Sequence, residues 1–247
     1  MAHDDDMTTN LRDTRRNVAA GSLLLFAGVY FFLAETISAA AWTHPAYSYK
    51  NDFVSDLGIT DQHVLFGGHE VASPLAWLLN SAFFLNGVSV AVVALMLLRP
   101  VGQGRMAAWQ RRLFVGFGIG LPMAAFLHEY PDWMFPFHAT GATLAMGGGN
   151  VGILLTGLMA SRLGLPSWLG RLLVAVSVVA ITAFVVVQGM AFSGHGVLPH
   201  GIGAAERVAA YPLLGTELVM GAGLLVEAAR LRRGSLIGEA RPATIPA

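Results

Sequence analysis

The residues able to do chemistry in this chain are histidines and carboxylates, gathered into a few stretches between long apolar runs. Apart from His3, the histidines are His44, His63, His69, His128, His138, His195 and His200. The acids nearest them are Glu35, Asp52, Asp56, Asp61, Glu70, Glu129, Asp132 and Glu206. Imidazoles titrate near neutral pH, so such a collection suits a metal, a proton or an anionic headgroup. A catalytic zinc needs three protein ligands and an open position for water. His128, His195 and His200 are the candidate metal ligands, with His138 and an acid such as Glu129 or Asp132 close by in the sequence. Zinc is the cofactor such a set would hold, and a metal-dependent membrane hydrolase is the activity it would serve. No HExxH or other paired spacing supports it.

Two polar segments offer a different chemistry. The first runs from His44 to Gly58, and its Asn, Asp, Ser and Gly turn the chain and cap short helices. The second runs from Ser193 to Gly203, is rich in glycine, and leads to Glu206-Arg207. Glu206 near a helix start favours the dipole, and Arg207 is free to pair with an acid from another loop. A pocket for a lipid headgroup or a small polar ligand would be lined by Glu35, Asn51, Asp52, Ser55, Asp56, Glu206 and Arg207. Glu35 and Glu217 fall within apolar runs, where ionisable groups are costly. They would equally serve a proton- or ion-coupled transporter, although no inverted repeat is evident.

The elements that must position these groups are membrane helices. Of the 247 residues, 55% are hydrophobic and only 12% are charged, and the mean hydropathy is +0.59. A soluble domain carries roughly 25% charge, so an ordinary soluble enzyme, a disordered chain and a nucleic-acid binder are excluded. The absence of cysteine removes disulfides and thiolate chemistry. A crossing helix needs about 20 apolar residues. The sequence predicts six, near Val18–Ala41, Pro74–Leu98, Leu113–His128, Phe137–Ser161, Trp168–Phe192 and Val208–Ala229. The third is the weakest, being short and interrupted by Pro122. With six crossings and the N-terminus inside, every arginine except Arg207 falls on the inner side, together facing only Lys50 and Arg207 outside. That is a strong positive-inside bias. The expected protein is thus an all-α, six-transmembrane-helix bundle of the cell membrane with both termini cytoplasmic. A tail spans residues 1–17, the membrane domain 18–230 and a second tail 231–247. Membrane lipid is the expected partner and nucleic acid is not. Stripes of small residues, such as Gly141, Ala145 and Gly149, let helices approach closely within lipid.

Several motifs together resemble a family. They are Pro45-x-Tyr47-Ser48 leading into Asn51-Asp52-x-x-Ser55-Asp56-Leu57-Gly58, the run from Ser73-Pro74 to Asn86-Gly87, His138-x-x-Gly141-Ala142, and Gly203-x-x-Glu206-Arg207-x-x-x-Tyr211-Pro212. On these the chain resembles the domain of unknown function 998 family, multi-span membrane proteins of bacteria and archaea. The resemblance covers most of the chain outside the tails and implies a six-helix membrane fold. It implies no activity.

Overall fold

In the computed structural model the described residues are 2–61, 63–66, 68–97, 104–192 and 200–239. They form a helical bundle. Helix α1 spans Ala2–Ala41, α2 Ala76–Val92 and α3 Arg105–Phe126. Helix α4 (Phe135–Ala142) continues through a π-helical stretch, Thr143–Gly148, into α5 (Gly149–Leu158). Helices α6 and α7 span Ser167–Ala191 and Ile202–Glu239. Among the described residues five helices are long and apolar enough to cross a membrane: Leu11–Ala41, Ala76–Leu95, Phe135–Leu158, Ser167–Ala191 and Ile202–Arg233. The expected third span is α3. It packs among the others but carries Arg105, Arg111 and Arg112 in its first turns and is less apolar. Residues 2–17 of the predicted first tail are the start of α1, and residues 231–239 of the predicted second tail belong to α7.

The helices pack as a ring in chain order. Each contacts the next, and α7 closes the circle against α1. Helical connections through the bundle are therefore local except at that last seam. Paired glycines set the spacing. A Cβ on Gly21 would lie 2.7 Å from the carbonyl oxygen of Gly221, and one on Gly221 would lie 2.9 Å from that of Gly21. Gly120 of α3 and Gly141 of α4 face each other in the same reciprocal way, at 2.5 and 2.8 Å. Lipid provides no hydrophobic drive between helices, so such backbone contact supplies the packing energy. Large apolar side chains such as Phe26, Val29, Leu33 and Ile37 of α1 point outward at helical spacing, the face that lipid covers.

The long connection between α1 and α2 lies over one end of this ring. It holds a 3-10 turn, Ser55–Gly58, and a small antiparallel hairpin of β1 (Val64–Phe66) and β2 (His69–Val71). The turn is not a surface feature: Ser55, Asp56, Leu57 and Gly58 are all buried. The Ser73 hydroxyl donates to Leu57 O at 2.7 Å, and Asn80 Nδ2 of α2 donates to Gly58 O at 2.8 Å. These bonds satisfy carbonyls that the short turn leaves open.

Candidate functional site

Arg207 is the centre of the polar end of the ring. It lies on the second turn of α7 and is 7% exposed. Its Nε donates to Glu35 Oε1 at 3.1 Å, and Nη2 lies 3.0 Å from the same oxygen. Nη1 donates to the carbonyls of Tyr49 (2.8 Å), Asp52 (3.1 Å) and Gly203 (3.1 Å). Nη2 also donates to the Tyr47 hydroxyl at 2.5 Å. The guanidinium stacks over Tyr49, 4.7 Å from its centroid. An arginine has five N–H donors in a fixed fork, and all five have acceptors here. Glu35, on α1, is equally occupied, because Tyr211 donates to both its oxygens at 3.0 and 3.1 Å. Burial pushes the Tyr47 hydroxyl above its ordinary range despite the guanidinium facing it. It therefore stays protonated and donates to Phe53 O at 2.8 Å.

The same loop caps α7. The first N–H groups of a helix have no partner within it. Here Gly201 N donates to Asn51 Oδ1 at 3.1 Å and Ala204 N to Lys50 O at 3.0 Å. Gly203 has no side chain because the Asp52 backbone lies where its Cβ would be. Asp52 and Asp56 serve the loop itself, accepting from Ser48 N (2.7 Å) and Phe53 N (2.8 Å). Glu206 accepts from Val54 N at 2.5 Å. Of the proposed pocket residues, then, Glu35, Asn51, Asp52, Asp56 and Arg207 form one network whose visible work is to fasten the loop to α1 and α7.

Beneath the fastened loop lies a cavity of about 50 Å³, enough for roughly three or four waters. Its walls are largely apolar and include Phe31, Phe83, Phe117, Leu121, Met146 and Leu213. The wide π turn places Ala145 and Met146 on that wall. The polar groups facing the cavity are Ser55, Glu206 and His138. His138 donates from Nδ1 to Ala124 O at 3.2 Å, a carbonyl freed by the end of α3. Its Nε2 lies 3.0 Å from Glu129 Oε1. Both ring nitrogens thus face acceptors, so the pair shares a proton between imidazole and carboxylate. Burial opposes charge on Glu129, yet the His138 partner, helped by Ser55, outweighs it and holds the carboxyl below its usual value.

His128 Nε2 lies 3.2 Å from Thr60 Oγ1, and His200 is exposed in the turn before α7. His195 lies outside the described residues. His44 and His63 are on exposed parts of the loop beside Thr43 and Glu70. Among the described residues, no group of three His, Cys, Asp or Glu stands together as a metal set. Deeper in the ring, Asn86 of α2 donates to Glu217 of α7 at 2.8 Å.

The sequence-based set omitted Tyr47, Tyr49, Tyr211, Glu129 and His138 from the ligand site. Tyr211 carried a signal, since its spacing of four from Arg207 puts both on one helix face. No curated protein and no solved structure matches the chain. A family model described as protein of unknown function (DUF998) matches residues 25–223. That match takes in both the cavity walls and the fastened loop, and the chain, a multi-pass membrane protein, belongs to this family.

Proposed function

We propose that this protein binds a small ligand in the cavity beneath its first long loop, at the outer face of the cell membrane. One observation carries the reading: an otherwise apolar, buried hollow is topped by three polar side chains, Ser55, His138 and Glu206. Ligand sites are mostly apolar with a few convergent polar groups. A lipid headgroup held by Arg207 is the weaker form of this reading, because every donor of that guanidinium is engaged. Counting α3 as a sixth crossing, the arginine bias supports a loop that faces outward.

Filling the hollow tests it. Protein purified in lipid nanodiscs is denatured, and the released small molecules are identified by mass spectrometry. Ala210 of α7 lines the hollow, and a compound present in stoichiometric amount in wild type and lost in Ala210→Phe is the expected result. Identical extracts from the two proteins would overturn the reading.

A further inference from the structure

We infer that the ligand of this cavity is a small organic cation, an alkylammonium of a few carbons; this rests on the cavity being a binding site. Two of the buried carboxylates at this end of the ring have charged or titratable partners. Glu35 is matched by Arg207 and Tyr211, and Glu129 by His138. Glu206 is the carboxylate that faces the cavity, and among the described residues the hydrogen bond to it comes from Val54 N alone. Arg207, its neighbour in sequence, turns its fork toward Glu35 and the loop carbonyls instead. A buried carboxylate needs a proton or a cation to offset its lost hydration.

The walls favour an organic cation. Phe31, Phe83 and Phe117 line the hollow, and the rings of Phe31 and Phe83 stand 5.4 Å apart at 47°. Ring faces attract ammonium groups, and aromatic cages beside a carboxylate recognise them while accommodating their hydrocarbon part. The polarity is one-sided: the ammonium would sit under Glu206 and Ser55, with the alkyl chain pointing down toward Met146 and Leu213. A strongly hydrated metal ion would meet an apolar surface over most of its sphere. The volume limits the ligand to about four non-hydrogen atoms, the size of a propylammonium.

The probes are n-propylammonium chloride and its neutral counterpart 1-propanol, titrated into nanodisc-embedded protein at constant ionic strength. Saturable binding is read by calorimetry and by the thermal unfolding midpoint. Propylammonium is expected to bind at least tenfold more tightly than propanol. Glu206→Gln, which keeps an acceptor for Val54 N, is expected to abolish that preference. Phe117→Leu is expected to weaken the cation selectively, and it keeps the test independent of any folding defect in the Glu206 variant. Equal binding of amine and alcohol would overturn the cation assignment while leaving a ligand cavity in place. Binding of neither probe, together with a compound lost in Ala210→Phe, would overturn it in the same way. Binding of neither, with identical extracts, would remove the cavity reading as well.

Discussion

At the scale of single residues, the main lesson is how completely Arg207 is used. A lysine there offers three donors on a flexible stem and cannot bridge Glu35, Tyr47 and three carbonyls together. Arg207→Lys is therefore expected to lower stability by about 2 kcal/mol, and Arg207→Ala by about 3–5 kcal/mol because Glu35 is left buried without a counter-charge. Thermal unfolding in detergent measures both, and amide exchange over residues 47–54 should rise in step. A loop that stays protected in Arg207→Ala would show that the network is dispensable. Glu129 makes a pH-dependent case. Its folded value lies below the ordinary 4.5, so its stabilising effect is complete above about pH 4.5 and is lost as the pH falls through the folded value. Wild type should exceed Glu129→Gln in midpoint at pH 7, and the gap should narrow as melts are carried progressively below pH 4.5.

The sequence marks Glu35 as costly in an apolar run and Arg207 as a partner for an acid from elsewhere in the chain, and the structure joins them across 172 positions. Nothing local encodes that partnership, since helix order around the ring decides it. The polar residues of the loop look like a ligand set because Asn, Asp and Ser serve binding and turn-making alike. Only the backbone path of residues 47–56 shows that Asn51 caps α7 and that Asp52 and Asp56 hold their own loop. Ser55 and Glu206 differ because they also face the cavity.

At the scale of elements, apolar runs located the helices well, because length and hydropathy are local properties. The weak third run became α3, whose arginine-bearing first turns made it look short. The hairpin β1–β2 had no such signal, being only three residues a strand. Helix seams yield two predictions. Gly221→Leu would drive a side chain into the α1 backbone at Gly21 and should cost at least the 1–3 kcal/mol of ordinary overpacking; an unchanged midpoint would mean that α1 and α7 separate freely. Between α2 and α7, Glu217→Gln keeps an acceptor for Asn86 and should be tolerated. Glu217→Leu strands the Asn86 amide and should cost about 1–3 kcal/mol. Equal midpoints for the two variants would contradict a structural bond there.

For the whole molecule, the orientation has a direct check because the native chain has no cysteine. Single substitutions Lys50→Cys and Gly164→Cys sit in connections at opposite ends of the ring. A membrane-impermeant maleimide applied to intact cells is expected to label the first and spare the second. The reverse pattern would turn the protein over and place the cavity on the cytoplasmic side.

The seam between α1 and α7 also has a bearing on biosynthesis. Glu35 leaves the ribosome early, whereas the guanidinium that neutralises it is among the last groups to be inserted. Throughout translation the nascent chain carries an acid in its first helix with its eventual counter-ion still unmade. Stop codons placed before residue 202 should therefore yield products that quality-control proteases clear rapidly, and Glu35→Gln should lengthen their lifetime in pulse-chase labelling.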